Sequence, residues 1–343
     1  MKIVADDKIP YIKGVLEPYA EVVYLPGEKI SALCVKDADA LLVRTRTKCD
    51  AGLLCGSSVR FIGTATIGTD HIDTLWCNAN GIEVASAPGS NAGGVLQWIA
   101  AALKLICFAK GMAPEQLTLG VIGVGNVGSL VRSYALSWGF RVLCSDPPRE
   151  RSEGLGCKDG FVPLPEIIGA ADIITFHIPL AHDGPYSTYA LGSEYFLART
   201  KKGTVIINTS RGGVVDEQAL KIRIKEGSAA AFTDTWVGEP DIDRELMELS
   251  YIATPHIAGY SAQGKANASS MVIRSLAAFF RLPITDWYPS EVPVVLRRDI
   301  GWNEMTTTID RYFDMAAQSD KLKMEPSRFE EIRKNYDFRT EYF

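Results

Sequence analysis

The chain has 343 residues, of which 47% are hydrophobic and 22% are charged. One hydrophobic core rarely organises that length, so two or three domains are expected, and the composition excludes the disordered and fibrous classes. The net charge of -5 argues against a broad basic surface for nucleic acid and favours small molecules as partners.

No stretch reaches the roughly 18 uninterrupted apolar residues of a membrane span. Met1 leads into the strand-like run Lys2–Ala5 instead of the apolar run of a signal peptide. The cysteines lack a Cys-x-x-Cys spacing and fit neither a disulfide framework nor a zinc site. We therefore expect a cytoplasmic protein with reduced cysteines, no membrane partner and no bound metal.

The N-terminal part of the chain alternates short apolar runs with helix-like stretches such as Tyr11–Tyr19. This rhythm predicts parallel strands with crossover helices. Ser90 or Asn91 can then cap a long apolar segment from Val95 to Ala109, which predicts a buried helix. The strand-like runs are Lys2–Ala5, Val22–Leu25, Ala40–Val43, Val59–Gly63 and Ile82–Ser86.

A second α/β rhythm starts at Leu117, and its strand-like runs predict a complete doubly wound sheet. A helical segment from Ser261 to Arg281 follows, and in two-domain arrangements such a helix can cross back to the first unit. From Pro283 the composition becomes polar, aromatic and charged, which favours a small appended unit. The runs are Leu117–Gly123, Phe140–Cys144, Asp172–His177, Val205–Asn208, Ala229–Asp234 and Tyr251–Thr254.

A glycine-rich segment, Gly-Val-Gly-Asn-Val-Gly, lies between an apolar strand and a helix. Gly123 permits the tight turn, Gly125 lets the backbone approach a pyrophosphate, and Gly128 allows the helix to pack closely on the strand. The helix N-terminus supplies free N–H groups and a positive dipole for phosphates. The segment therefore predicts a dinucleotide site, to which Asn126 and Val127 also contribute.

Asp146 follows the next strand-like run. A carboxylate there can accept hydrogen bonds from the adenosine ribose hydroxyls and repel a 2′-phosphate, which favours NAD over NADP. Arg149 and Arg151 argue in the other direction, because a basic residue could accommodate that phosphate. The alternative is that both arginines lie in a solvated loop.

Three polar segments are expected at the carboxyl ends of successive later strands, where ligands bind in open α/β sheets. They contain Arg211, Glu239 and His256. A guanidinium can hold a substrate carboxylate, an imidazole can take a hydroxyl proton, and a carboxylate can orient that imidazole and raise its pKa. Oxidation of a 2-hydroxy acid, with hydride leaving to a nicotinamide, needs these three groups.

Each of these residues also has a structural alternative. Arg211 could form a surface ion pair, Glu239 could be a loop charge, and His256 could cap a helix or lie in a core. Their joint occurrence at three strand ends after a dinucleotide fingerprint favours the catalytic interpretation.

The chain resembles the D-2-hydroxyacid dehydrogenases over nearly its whole length, because the family's order of catalytic arginine, glutamate and histidine matches Arg211, Glu239 and His256. Further runs resemble the branch of that family that oxidises 4-phospho-D-erythronate in vitamin B6 biosynthesis. They are Val43–Thr47, Gly63–His71, Ser145–Arg149, Phe176–His177 and Pro255–Tyr260. The resemblance implies that the substrate is a small phosphorylated hydroxy acid, that NAD is the cofactor, and that oxidation yields (R)-3-hydroxy-2-oxo-4-phosphobutanoate.

The resemblance also implies individual contacts. Thr45, Thr66 and Tyr260 match substrate contacts, although relatives commonly carry serine at position 45, where the hydroxyl is kept. Phe329–Tyr336 resembles part of the family's C-terminal dimerisation unit, which implies a homodimer. The implied NAD contacts outside the glycine-rich segment are Asp146, Thr175, Thr209, Ser210, Arg211, Asp234 and Gly259.

A phosphorylated substrate needs a cationic pocket. Arg44 and Arg46 follow the strand-like run Ala40–Val43 at an i, i+2 spacing that can point both guanidiniums the same way. We expect at least one of them to contact the phosphate. The alternative is two solvated loop arginines.

Taken together, these patterns predict an α/β protein with two doubly wound parallel-sheet domains and a small C-terminal dimerisation unit. The flavodoxin-like substrate domain is expected at 1–92 and 256–284, the Rossmann NAD-binding domain at 93–255, and the dimerisation unit at 285–343. Two alternatives stay open. One is another D-2-hydroxyacid dehydrogenase, of the phosphoglycerate or glyoxylate/hydroxypyruvate type, and the other is an NADH-responsive binding scaffold of the same fold.

Overall fold

The computed structural model describes the whole chain and contains two compact units. The first unit consists of Met1–Asn91 and Ser261–Val295, and the second of Ala92–Tyr260 and Leu296–Phe343. Each unit has its own all-parallel sheet. The predicted fold class, α/β with two doubly wound sheets, is confirmed.

The sheet of the first unit has the strand order of flavodoxin-like folds. Its strands are β1 (Lys2–Asp6), β2 (Glu21–Leu25), β3 (Ala40–Val43), β4 (Phe61–Thr64) and β5 (Glu83–Ala85). The short helices of this part are α1 (Ala32–Val35), α2 (Ala51–Leu54) and α3 (Thr74–Ala79). The order is β2-β1-β3-β4-β5, and β3 and β4 are buried along their whole length. Burial on both faces explains why β3 is a continuous apolar run.

The helix predicted at Tyr11–Tyr19 is wrong, because the chain forms successive turns there. Tyr11 and Gly14 have φ values of 67° and 84°, a left-handed backbone that interrupts an α-helix. Ile12 and Leu16 are nevertheless buried in the core of the first unit. The apolar spacing of this stretch therefore reflects burial without helix formation.

The sheet of the second unit has the Rossmann order. Its strands are β6 (Thr118–Ile122), β7 (Arg141–Ser145), β8 (Ile173–Phe176), β9 (Thr204–Asn208), β10 (Ala229–Thr233) and β11 (Ile252–Ala253). They lie in the order β11-β10-β9-β8-β6-β7. An isolated parallel bridge between Cys144 and Phe161 continues the sheet beyond β7, so the third strand of the usual order is reduced to one bridge.

The helices of this part of the second unit are α4 (Ala92–Lys110), α5 (Asn126–Ser137), α6 (Pro147–Glu153), α7 (Leu164–Ala170), α8 (Glu194–Leu197), α9 (Glu217–Lys225) and α10 (Arg244–Leu249). By length and composition α4 could cross a membrane, but 78% of its most apolar window is buried inside the protein. Trp98 of α4 is fully buried and donates its indole N–H to the Thr254 hydroxyl at 3.1 Å. This helix is a core element of the Rossmann unit.

After β11 the chain first returns to the N-terminal unit and then adds three helices to the second unit. They are α11 (Ala262–Phe280) in the first unit and α12 (Trp302–Tyr312), α13 (Met315–Met324) and α14 (Phe329–Lys334) in the second. Ser261 caps α11 by accepting from the N–H of Gly264. Val272 and Leu276 of α11 lie in the same core cluster as Phe61 of β4.

The C-terminal tail from Leu296 groups with the Rossmann unit, where the sequence predicts a separate unit from residue 285. The Trp138 indole N–H donates to the Ile300 carbonyl at 2.9 Å. Phe343 is fully buried, with its ring 5.2 Å from that of Tyr134. These contacts extend the Rossmann core into the tail, and the dimerisation role of residues 285–343 stays a prediction.

Candidate active site

The glycine-rich turn between β6 and α5 has the geometry that a dinucleotide pyrophosphate requires. Gly123 has a φ of 84°, and a Cβ on Gly128 would lie 1.9 Å from the Gly123 carbonyl oxygen. Gly125, in contrast, faces open space, and no side chain caps the N-terminus of α5. The first N–H groups of this helix and the space in front of them are thus free for phosphate oxygens.

Asp146 lies beside this turn, at the end of β7. Its Oδ2 accepts from the Val124 N–H at 2.8 Å and its Oδ1 from the Arg149 N–H at 3.1 Å. A carboxylate has about four lone-pair sites, so acceptor capacity remains for ribose hydroxyls. The Arg149 guanidinium donates to the Val124 carbonyl at 2.7 Å and to Ser129 Oγ at 3.1 Å. It therefore binds the turn and the start of α5.

Two threonines predicted to contact NAD lie at the ends of the neighbouring strands. Thr175 is fully buried, and its Oγ1 pairs with His177 Nε2 at 3.1 Å. Burial lowers the pKa of His177 to about 3, so this imidazole is neutral. Thr209 Oγ1 is buried without a hydrogen-bond partner in the protein. An orphaned hydroxyl at the carboxyl end of β9 fits a site that a polar cofactor completes.

The structure brings Glu239 and His256 together after β10 and β11. His256 Nδ1 lies 2.8 Å from Glu239 Oε2 and 3.0 Å from Oε1, and Oε1 also accepts from the Trp236 N–H at 3.0 Å. Burial by itself would raise the pKa of Glu239, but the hydrogen bond and charge of His256 outweigh it and hold that pKa below its usual value. A carboxylate at Nδ1 assigns the proton to that nitrogen and leaves Nε2 as the acceptor.

Asp234 organises the loop that carries His256. Its carboxylate accepts from the Thr254 hydroxyl at 2.6 Å and from the N–H groups of Ile257 and Ala258 at 2.8 and 2.9 Å. Its backbone carbonyl accepts from the His256 N–H, and His256 takes a left-handed φ of 57°. Asp234 is 1% exposed, so the structure gives it a positioning role, and its predicted contact with NAD stays a prediction.

Arg211 follows β9, which is adjacent to β10, so its loop borders the loop of Glu239. The Asn208 side-chain amide donates to the Arg211 carbonyl at 2.9 Å, and Arg211 Nη1 donates to the Ser210 carbonyl at 2.8 Å. A Cβ on Gly212 would lie 2.1 Å from the Trp236 carbonyl oxygen. Glycine at this position therefore allows the two catalytic loops to pack backbone against backbone.

Four of the predicted substrate residues lie in the first unit. Thr66 Oγ1 is 2.6 Å from Thr64 Oγ1, whose other neighbour is His71 Nε2 at 3.0 Å. The Arg44 guanidinium donates to the Lys8 carbonyl at 3.3 Å. Thr45 and Arg46 are exposed in the turn after β3. Their roles stay predictions.

The sequence pattern missed two arginines of the tail that contact the catalytic loops. Arg333 Nη1 lies 3.5 Å from Glu239 Oε2, and Arg333 Nε donates to Tyr260 Oη at 3.1 Å. Arg339 is buried and donates to the Ile257 carbonyl at 3.1 Å. A signal existed for Arg333, because it follows the apolar residues Phe329 and Ile332 on one helix face.

The Rossmann sheet, the glycine turn, the pair of Glu239 and His256 and the adjoining loop of Arg211 define an NAD-dependent dehydrogenase. Residues 106–258 match the family described as D-isomer specific 2-hydroxyacid dehydrogenase, NAD binding domain. Erythronate-4-phosphate dehydrogenase from Bacteroides fragilis is 46% identical over 99% of this chain and 97% of its own length. The protein of that name from Citrobacter koseri is 36% identical over 100% of this chain and 92% of its own.

Solved structures agree with this fold. The D-lactate dehydrogenase of Aquifex aeolicus, complexed with NAD and lactic acid, is 25% identical with a TM-score of 0.67, over 82% of this chain and 96% of that one. The NAD+-bound 3-phosphoglycerate dehydrogenase of Entamoeba histolytica is 25% identical with a TM-score of 0.68, over 84% of this chain and 98% of that one. The chain belongs to the erythronate-4-phosphate dehydrogenases of the D-isomer-specific 2-hydroxyacid dehydrogenase family, and its cofactor is NAD.

Proposed function

We propose that this protein oxidises 4-phospho-D-erythronate to (R)-3-hydroxy-2-oxo-4-phosphobutanoate in pyridoxal phosphate biosynthesis. The observation that carries the proposal is the pairing of His256 Nδ1 with Glu239 Oε2 at 2.8 Å in a chain 46% identical to an erythronate-4-phosphate dehydrogenase. The pair engages Nδ1 and leaves Nε2 as the acceptor, which is the base that a secondary alcohol needs.

In this mechanism Arg211 binds the substrate carboxylate as a planar fork and polarises the forming carbonyl. His256 Nε2 accepts the proton of the C2 hydroxyl, and the Glu239 carboxylate stabilises the imidazolium that results. NAD, when bound, accepts the hydride from C2. The proton and the hydride together account for the two electrons and two hydrogens that the alcohol loses.

We also propose roles for the other predicted site residues. Thr45, Thr66 and Tyr260 contact the substrate, and Arg44 or Arg46 contacts its phosphate. The predicted NAD contacts are Gly123, Gly125, Asn126, Val127, Gly128, Asp146, Thr175, Thr209, Ser210, Arg211, Asp234 and Gly259. The open space at Gly125 and the unpartnered hydroxyl of Thr209 support the cofactor assignments.

The test is NADH formation, followed by absorbance, with 4-phospho-D-erythronate, 3-phosphoglycerate and D-lactate, each with and without a 2-oxo acid acceptor. We expect a strong preference for the four-carbon phosphate and a loss of about 10²- to 10⁴-fold in kcat for His256→Ala. His182→Ala is the matched control, because His182 is an exposed histidine of the same unit for which no catalytic or binding role is proposed. Preference for another acid overturns the substrate, and inertness with all three favours the binding-scaffold alternative.

We further propose that the protein is a cytoplasmic homodimer without membrane or nucleic-acid partners. The net charge of -5 and the resemblance of Phe329–Tyr336 to the family's dimerisation unit support this. Sedimentation equilibrium at several protein concentrations should give twice the chain mass of 37.5 kDa, and a constant monomer mass would contradict it.

A further inference from the structure

Arg333 connects the C-terminal tail to two functional groups of the site through different nitrogens. Its Nη1 lies 3.5 Å from Glu239 Oε2, and its Nε donates to the Tyr260 hydroxyl at 3.1 Å. The guanidinium also lies over the Tyr260 ring, 5.9 Å from its centroid. Its remaining ion pair, with Glu330 in the same helix at 3.8 Å, is weaker. One planar cation thus bridges the orienting carboxylate and the proposed substrate-binding phenol.

The surroundings of Glu239 explain why a cation is needed there. The titratable and charged groups that face its carboxylate are His256, Arg333 and Glu217. Glu217 accepts from the Val237 N–H at 2.8 Å, and burial raises its pKa to about 7. Above that pH Glu217 adds a second negative charge near Glu239, and like charges disfavour the ionised state of both. Arg333 supplies an opposing positive charge beside Glu239.

The helix α14 presents Arg333 for this purpose. Phe329 and Ile332 are buried in the Rossmann core and anchor the helix, and Arg333 follows on the same face. Its side chain is 26% exposed, less than the 46% of Arg328, whose ion pairs with Glu325 and Glu331 are local. Anchoring limits the rotamer freedom that an arginine loses when it holds two partners.

We propose that Arg333 is a positioning residue of the active site, whose guanidinium holds the Glu239 carboxylate and the Tyr260 hydroxyl in their working places. Through Glu239 it supports proton transfer at His256, and through Tyr260 it supports substrate binding. Arginine is required because a lysine ammonium, a single point charge, cannot reproduce the fixed two-nitrogen geometry. The inference rests on the proposed function for the reaction in which these groups act.

The experiment compares Arg333→Met, Arg333→Lys and the control Arg328→Met by steady-state kinetics against pH. We expect Arg333→Met to lower kcat roughly tenfold, equivalent to about 1.4 kcal/mol, and to raise KM. The acidic limb of its pH–rate profile should move to higher pH, because loss of the positive neighbour raises the pKa of Glu239, the carboxylate that orients His256. Arg333→Lys should restore the position of the acidic limb but leave KM raised. Arg328→Met should match the wild type in kcat, KM and pH profile.

A substrate-free measurement separates this inference from the proposed function. Carbon-13 NMR titration of the Glu239 carboxyl in the unliganded protein should show a higher pKa in Arg333→Met than in Arg328→Met. Equal titration curves, or equal kinetics of these two variants on a substrate that the wild type turns over, overturn the role of Arg333. A wild type inert on 4-phospho-D-erythronate overturns only the proposed function. If Arg333→Met does not fold, Arg333→Lys decides through its KM, and an unchanged KM contradicts the proposal.

Discussion

His177 shows how a single residue can serve the cofactor turn without taking part in chemistry. Its backbone packs on Gly123, where a Cβ would lie 2.5 Å from the His177 carbonyl oxygen, and its imidazole pairs with Thr175 Oγ1. Burial lowers the pKa of this imidazole to about 3, so it is neutral near pH 7. A neutral imidazole adds no charge beside the pyrophosphate site.

This neutral histidine makes a prediction about stability against pH. The unfolded chain binds a proton at His177 near pH 6.5 and the folded chain only near pH 3, so stability is lost as pH falls between these values. Between pH 7 and pH 5 the loss is about 1 to 2 kcal/mol, where the lower figure allows for solvent screening because His177 is half-buried and not fully buried. His177→Gln should flatten the pH dependence of the urea-derived free energy of unfolding, whereas the exposed control His182→Gln should not. Parallel curves for both variants contradict the prediction.

At the scale of elements, two glycines of the glycine-rich turn, Gly125 and Gly128, have different roles. Gly128 is needed by the protein itself, because α5 passes so close to the turn that any Cβ would overlap the Gly123 carbonyl. Gly125 is not needed for packing, because nothing in the protein approaches it. A glycine that the packing of the protein does not require leaves space for a ligand.

Two alanine substitutions separate these tasks. Gly128→Ala should destabilise the protein by about 1 to 3 kcal/mol, because backbone must move to admit the methyl group. Gly125→Ala should change the free energy of unfolding by less than about 0.5 kcal/mol. It should still weaken NAD binding, because the methyl group stands where the pyrophosphate approaches. Urea unfolding without cofactor and calorimetric titration with NAD measure the two effects, and unchanged stability of Gly128→Ala contradicts the packing argument.

At the scale of the whole molecule, the tail is a structural part of the Rossmann unit. The Tyr134 hydroxyl donates to the Arg298 carbonyl at 2.8 Å, and Trp302 packs on Phe140 with ring centroids 5.6 Å apart. Arg339 donates to the carbonyls of Ile257 and Ala258 in the loop after His256. The tail therefore stabilises both the core and the catalytic loop of the unit that binds NAD.

Removing one buried ring tests this integration. Phe343→Ala should lower the free energy of unfolding by about 3 to 5 kcal/mol, because the ring fills a fully buried site. Leu296→Ala is the control, since Leu296 is 80% exposed and its loss should cost little. Thermal unfolding followed by near-UV circular dichroism measures the packing of the neighbouring aromatic rings. Equal melting temperatures for the two variants would show that the tail is not part of the core.

The sequence by itself determined the class of fold and the main elements of the Rossmann unit. Its buried parallel strands are continuous apolar runs because helices cover both faces, and the glycine spacing is set by the turn that it forms. Arg211, Glu239 and His256 could be grouped because parallel strands end at one edge of a sheet. These inferences needed only local pattern and one rule of topology.

The tertiary structure alone decided the features that depend on contacts distant in sequence. The turns at Tyr11–Tyr19 replaced a helix because burial, and not periodicity, governs those apolar positions. The bridge at Phe161 is too short to leave a strand pattern. Arg333 became part of the site only when α14 packed on the Rossmann core and brought its guanidinium to Glu239. The local sequence does not predict such a contact, because packing across the whole unit brings the two residues together.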